Sequence, residues 1–263
     1  MKTKLEKKIV KISPKVGDYV MYDDNNILEI LPRKNEMIRP DVSNVDYIVL
    51  VFSCINTDFS FLLLDKFLIS INKAKINCYI IITKIDLISN DKLNDLKNKL
   101  KYYEKFYKID YISNKKTDNI DYIINNLKNK FVVFSGQTGA GKSSLLNRIN
   151  PKLQLQTNEI SIKLGRGKHT TRHTEMFIFD DLYISDTPGF SSLDFINFKE
   201  TELKDYYPDF DKLKDYCKFR GCNHINEPNC KVIEEYQNNN ILKSRYENYV
   251  KFFHEIKNQK VIY

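Results

Sequence analysis

No stretch of this chain approaches the roughly 18 uninterrupted apolar residues that cross a bilayer as a helix, so no membrane partner is expected. The amino terminus, Met1-Lys-Thr-Lys-Leu-Glu-Lys-Lys8, lacks the apolar core of a secretory signal, and a cytoplasmic location is the expectation. Tryptophan is absent while asparagine is abundant, a drift in usage that tempers any argument from lysine counts. Five cysteines do not form the pattern of a disulfide scaffold. Cys54 and Cys78 fall inside apolar, strand-like runs and read as reduced, buried small hydrophobes. Only Cys217, Cys222 and Cys230 crowd together, beside His224.

What is present is basic. A net charge of +8 draws polyanions, although lysines of this kind also serve simply to solvate a surface. A length of 263 residues is enough for more than one domain. Short β-branched runs recur at residues 45–52, 77–83, 107–112, 131–135, 176–179 and 182–185. Helical patterns fall between most of them, at 61–71, 91–106, 119–130 and 142–149. Such alternation predicts an α/β fold, a parallel sheet with helices on both faces. Before residue 43 the chain reads as a small β-unit, with short strands at 8–12, 18–22 and 26–31. After residue 194 it is polar and helical, ending in an amphipathic helix at 241–256. Three regions are therefore expected: 1–42, 43–194 and 195–263.

Gly136-Gln137-Thr138-Gly139-Ala140-Gly141-Lys142-Ser143 fits the phosphate-loop pattern, follows a strand and opens a helix that continues through Ser144. Glycines let backbone amides curl round a phosphate, and the helix amino terminus adds partial positive charge. Lys142 would reach the β- and γ-phosphates, and the Ser143 hydroxyl would meet Mg²⁺. About forty residues on, Asp186-Thr-Pro-Gly189 ends another strand; its Asp suits a Mg²⁺-bound water and its Gly189 amide a γ-phosphate. Between the two lies the basic loop 165–173, whose Thr171, with Thr170 as the near alternative, would complete the Mg²⁺ shell. Thr83-Lys84-Ile-Asp86 follows the strand 77–83, and a carboxylate there can accept both the N1 and N2 protons of guanine. Ser113-Asn114-Lys115 ends the strand 107–112 and could meet the guanine O6.

In ordinary GTPases the base-reading motifs follow the phosphate loop; here they precede it, an order that resembles circularly permuted GTPases. The chain is similar to the small-ribosomal-subunit-dependent GTPase A family. The residues carrying this likeness are Val16-Gly-Asp-Tyr-Val20, Ile30-Leu-Pro-Arg-Lys-Asn35, Ile38-Arg-Pro-Asp-Val-Ser-Asn-Val-Asp46, Leu64-Asp-Lys-Phe-Leu68, Arg245-Tyr-Glu-Asn-Tyr249, the motifs above and the terminal cysteines. The resemblance implies an OB-type barrel, a circularly permuted P-loop GTPase domain and a helical zinc-binding domain. It further implies GTP hydrolysis to GDP and phosphate, stimulated by the small ribosomal subunit during its late maturation, with binding to its rRNA. A second reading is a steric placeholder on that subunit, released by hydrolysis. The chain supplies too few residues before Val16 for the family's first barrel strands, so a partial or shortened barrel is expected, and Thr83 and Asn114 stand where Asn and Ala are common.

Cys217-x₄-Cys222-x-His224-x₅-Cys230 offers three thiolates and an imidazole, a donor set suited to one structural Zn²⁺ with no open position. Phe190 follows Gly189 where many GTPases carry a water-orienting Gln, so intrinsic hydrolysis should be slow. His169, for which the resembling family has a histidine, is the candidate to position water, with Lys142 and Thr171 beside it in the catalytic set. A monomer is expected.

Overall fold

The β-branched runs at 47–53, 77–83 and 131–136 make strands because each sits between two helical layers, where a fully apolar pleat is needed. The computed structural model describes residues 13–24, 26–55, 59–113, 120–137, 139–155, 175–179, 182–186 and 194–259. Its main sheet contains β5 (Tyr47–Ser53), β6 (Asn77–Thr83), β7 (Lys108–Tyr111), β8 (Phe131–Gly136), β9 (Glu175–Phe179) and β10 (Leu182–Asp186), in the order β7-β6-β5-β8-β10-β9. Five of these strands run parallel. The sixth, β9, pairs antiparallel with β10 at the edge, a departure from the all-parallel expectation.

Alternate residues of β5 face opposite layers. Ile48, Leu50 and Phe52 pack with α1 (Phe61–Lys73) and α2 (Asn90–Glu104). Val49 and Val51 pack with α3 (Ile120–Leu127) and α4 (Lys142–Ile149). Ser60 and Ser89 cap α1 and α2 by accepting from the amides of Leu63 and Lys92. From β5 the chain crosses to β6 on one side, and from β8 it leaves toward β10 on the other. The crevice between β5 and β8 is thus the place where strand order reverses, the usual ligand site of an open parallel sheet.

Ahead of the sheet, β1 (Val20–Tyr22) pairs with β2 (Ile27–Ile30), and β3 (Glu36–Met37) with β4 (Val42–Ser43). Among the described residues these are two small two-stranded sheets rather than a closed barrel, and the expected strand 8–12 falls outside those residues. The turns that carried the family likeness are what hold this unit. Arg33 binds both carboxylate oxygens of Asp18 at 2.7 Å. Asn35 donates to the Val45 carbonyl and accepts from the Val45 amide. Gly17 has φ +96°, and a Cβ there would meet the Ser43 carbonyl oxygen at 2.2 Å. Asp46 joins the unit to the sheet by accepting from the Phe131 amide at 2.8 Å.

Past residue 194 come α5 (Pro208–Asp211), α6 (Lys231–Gln237) and α7 (Lys243–Lys257), which share an aromatic-rich core with Ile69 of α1.

Candidate functional site

Parallel strands deliver their carboxyl ends to one edge, and among the described residues the loop after Gly136 and the turn at residues 83–86 meet there. β8 ends at Gly136, opposite Val51, while β6 ends at Thr83, opposite Ser53. Gly136 has φ +138°, and a Cβ would lie 2.1 Å from the Val51 carbonyl oxygen. That carbonyl instead accepts from the Gln137 amide at 3.2 Å. Gly139 and Gly141 also take positive φ, of 76° and 88°, turning the loop into the first residues of α4. Lys142, Ser143 and Ser144 form the first turn of that helix.

The turn at residues 83–86 closes on this loop directly. The buried Thr83 hydroxyl donates to the Ala140 carbonyl, and it lies 3.2 Å from that of Phe52. Lys84, held at φ 62°, extends its ammonium to the Gly139 carbonyl at 2.8 Å. Asp86 sits exposed in the short 3-10 turn Ile85–Leu87. The Ile85 amide donates to the Ile112 carbonyl at 3.5 Å, bringing in the end of β7 with the buried Ser113. Cys54 is half-buried rather than buried as expected; its thiol points at the Thr83 carbonyl, 3.1 Å away, and burial raises its pKa. Cys78 is buried. Asp186 ends β10 opposite Phe134, so its backbone reaches the same edge. Thr138, Asn114, His169, Thr170, Thr171, Gly189 and Phe190 lie outside the described residues.

A second constellation forms in the last region. Ligand atoms of Cys217, Cys222, His224 and Cys230 all lie within 4.8 Å of one another, an arrangement that can hold a metal ion. Left-handed backbone at Gly221, His224 and Asn229 makes the turns that fold the chain round this point. Glu227 braces the turn by accepting from the amides of Asn223, Ile225 and Asn226 at 2.7, 2.9 and 3.1 Å. Tyr246 and Tyr249 of α7 donate to the carbonyls of His224 and Asn223. Burial pushes the His224 imidazolium pKa down to about 4, which keeps the ring in its neutral, ligating form at ordinary pH.

Comparison with known proteins gives this geometry a family. A model described as RsgA GTPase matches residues 30–196. The chain belongs to the RsgA GTPase family. It is 46% identical over 251 residues to a protein of Phytoplasma mali named small ribosomal subunit biogenesis GTPase RsgA, covering 94% of this chain and 83% of the relative. A similarly named protein of Oceanobacillus iheyensis, distinguished as RsgA 2, is 44% identical, with 96% and 88% covered. Among solved structures, YjeQ from Thermotoga maritima superposes with TM-score 0.82 at 35% identity, covering 95% of this chain and 86% of that one. YloQ, described as a circularly permuted GTPase, gives 0.79 at 38% identity, with 97% and 85% covered. The chain is thus a GTP hydrolase with the permuted GTPase fold.

One feature of this family member was not foreseen from sequence. Arg245 of α7 is buried with Asp65 of α1 and Asp209 of α5, at 2.5 and 3.1 Å. Tyr103 and Asn248 complete Asp65 at 2.8 and 2.7 Å, and Tyr102 donates to Asp209 at 2.8 Å. The guanidinium also lies 4.2 Å from the Tyr207 ring centroid. Although burial opposes its charge, the two carboxylates hold Arg245 firmly protonated. The signal available in the sequence was an acid inside the apolar run Phe61-Leu-Leu-Leu-Asp-Lys-Phe-Leu68.

Proposed function

We propose that GTP binds at the carboxyl edge of β5, β6 and β8, that its hydrolysis is completed by contact with the small ribosomal subunit, and that the chain acts in that subunit's maturation. The observation carrying this is the pair of contacts from Thr83 and Lys84 to the carbonyls of Ala140 and Gly139. They bring the base-reading turn against the phosphate loop, so one nucleotide can touch both. Asp86 selects guanine, Ser113 and Asn114 are assigned to O6, and amides from Gly136 through Ser144 with the Lys142 ammonium neutralise the phosphates. Ser143 and Thr171 would hold Mg²⁺, which when bound offsets phosphate charge; Asp186 would hold a water on that ion, the Gly189 amide would sense the γ-phosphate, and His169 would position the attacking water.

Zinc is the ion we assign to the cysteine cluster. A tetrahedron with Zn–S of about 2.3 Å and Zn–N of about 2.0–2.1 Å has S–S edges of about 3.8 Å and S–N edges of about 3.5 Å. Cys217 Sγ stands 3.9 Å from Cys230 Sγ and 3.7 Å from His224 Nδ1, and His224 Nδ1 stands 3.2 Å from Cys230 Sγ. These three spacings lie near those edges, and Cys222 brings the fourth donor within 4.8 Å of the others; four protein donors fill a tetrahedral ion, which supports a structural role.

We assign three regions, 1–42, 43–194 and 195–263, in a cytoplasmic monomer. Partnership with the small subunit and its RNA rests on the net charge of +8 and on the names of the relatives. The test is phosphate release from GTP and ATP, with and without purified small subunits. Stimulation of GTP hydrolysis alone, weakening steeply with salt, is expected; ATP turned over equally, or no response to subunits, would overturn the reading.

A further inference from the structure

We propose that the β1–β2 hairpin is a docking surface for a polypeptide, a segment rich in lysine or arginine with apolar side chains between them, and not for RNA. Tyr19, Tyr22 and Leu28 are 67%, 75% and 65% exposed, and Met21 and Ile27 stand out beside them. The backbone of the ribbon is nevertheless closed. The Leu31 amide bonds the Tyr19 carbonyl at 2.8 Å, and across the turn the Asp23 amide bonds the Asn26 carbonyl at 3.1 Å. Among the described residues β1 and β2 pair only with each other, so no further strand covers either edge. Large apolar side chains clustered in the open on a hydrogen-bonded backbone mark an interaction site.

Charge decides what this surface fits. In a chain of net charge +8, residues 17–31 hold Asp18, Asp23, Asp24 and Glu29 and neither a lysine nor an arginine. Arg33 neutralises Asp18, whereas Asp24 and Glu29 are exposed and form no ion pair among the described residues. Exposed tyrosines can stack on bases, but surfaces that bind single strands join such rings to a positively charged groove. Here the rings stand among carboxylates, which repel phosphates. A cationic segment with leucine-like side chains complements the hairpin in both charge and apolar area.

That such a segment belongs to the small ribosomal subunit rests on the function proposed above. The double substitution Asp24→Lys with Glu29→Lys tests the sign of the charge. Affinity of the full-length chain for purified small subunits, read by co-sedimentation, should fall about tenfold, as inverting two interfacial charges does. A phosphate-facing surface would instead bind more tightly. Basal GTP hydrolysis and the thermal midpoint should not change. In parallel, Leu28→p-benzoylphenylalanine is photolysed on the subunit, and its adducts should survive ribonuclease and yield to protease. Equal or tighter binding of the double variant, or a photoproduct on RNA, on residues 1–12 of this chain or on nothing, would overturn the assignment. If the unsubstituted chain does not sediment with subunits, it is the functional reading that falls. A labelled peptide of alternating lysine and leucine then decides for the hairpin: binding weakened by the two reversals upholds it, and no binding, or binding indifferent to them, removes it.

Discussion

Arg245 Nη1 and Asp65 Oδ1 stand 2.5 Å apart although 180 residues separate them in the chain. This pair, with Asp209, fastens the region carrying the cysteine cluster to α1, which packs on the GTPase sheet. Removing one partner of such a buried set leaves an uncompensated charge, which typically costs about 3–5 kcal/mol. Arg245→Met should lower stability by that order, read as a shift of the urea midpoint at unchanged slope. A loss below about 1 kcal/mol would mean that the guanidinium is dispensable to the packing.

Gly136 has no room for a side chain because Val51 runs directly behind it. Gly136→Ala must push β8 from β5 or rotate the loop, and strain of this kind is on the order of 1–3 kcal/mol. The crevice between the two strands is where the phosphates are placed, so nucleotide affinity should fall by more than the stability loss alone explains. Isothermal titration with GDP beside thermal unfolding separates the two effects.

Much of this was readable in advance, and the reason is local. The helix at Lys142–Ile149 and the strand Asn77–Thr83 match their expected bounds, because a Gly-Lys-Ser start and a β-branched run are self-contained codes. Strand direction is not such a code, so the antiparallel edge β9 appeared only with the fold. Asp65 stands out only as an acid in an apolar run, and Arg245 looks like a surface charge; that they pair is set at long range, when α1 and α7 pack together.

Acid should expose the N-terminal unit. Hydrogen bonds from Arg33 are the main cause holding the Asp18 pKa at about 2, below its ordinary 3.8, against the opposing effect of burial; Ser43 and the Lys15 amide assist. A depressed carboxylate contributes stability that is present above its unfolded pKa and lost as pH falls through the folded one. The advantage of the unsubstituted chain over Asp18→Asn should therefore be full above pH 4 and shrink from there toward pH 2. Urea midpoints taken across that interval check it, and an advantage that grows on acidification would contradict the assigned pair.

The metal cluster should behave as a fold element. Structural zinc contributes roughly 10–16 kcal/mol to small domains built round it, and α6 and α7 pack on the loop that these four ligands close. Cys222→Ser should reduce zinc content below one per chain and expose residues 214–230 to protease. Full zinc content in that variant would exclude Cys222 as a ligand.

Asp86 gives the sharpest test of the base site. Its turn reaches the phosphate loop through Thr83 and Lys84, and substituting Asp86 leaves those two contacts in place. A carboxylate accepts two protons, from N1 and from the 2-amino group of guanine; a carboxamide accepts at one atom and donates at the other. Xanthine, with an oxygen at position 2, matches the carboxamide and mismatches the carboxylate. Asp86→Asn should thus lose GTP affinity by about 100-fold or more and gain in affinity for XTP, since unpaired polar groups reject a mismatched ligand strongly. Competition between labelled GDP and XDP reads the ratio directly. If the substitution lowers both affinities alike, the carboxylate is supporting the turn rather than reading the base, and guanine would have to be recognised from the Ser113 side alone.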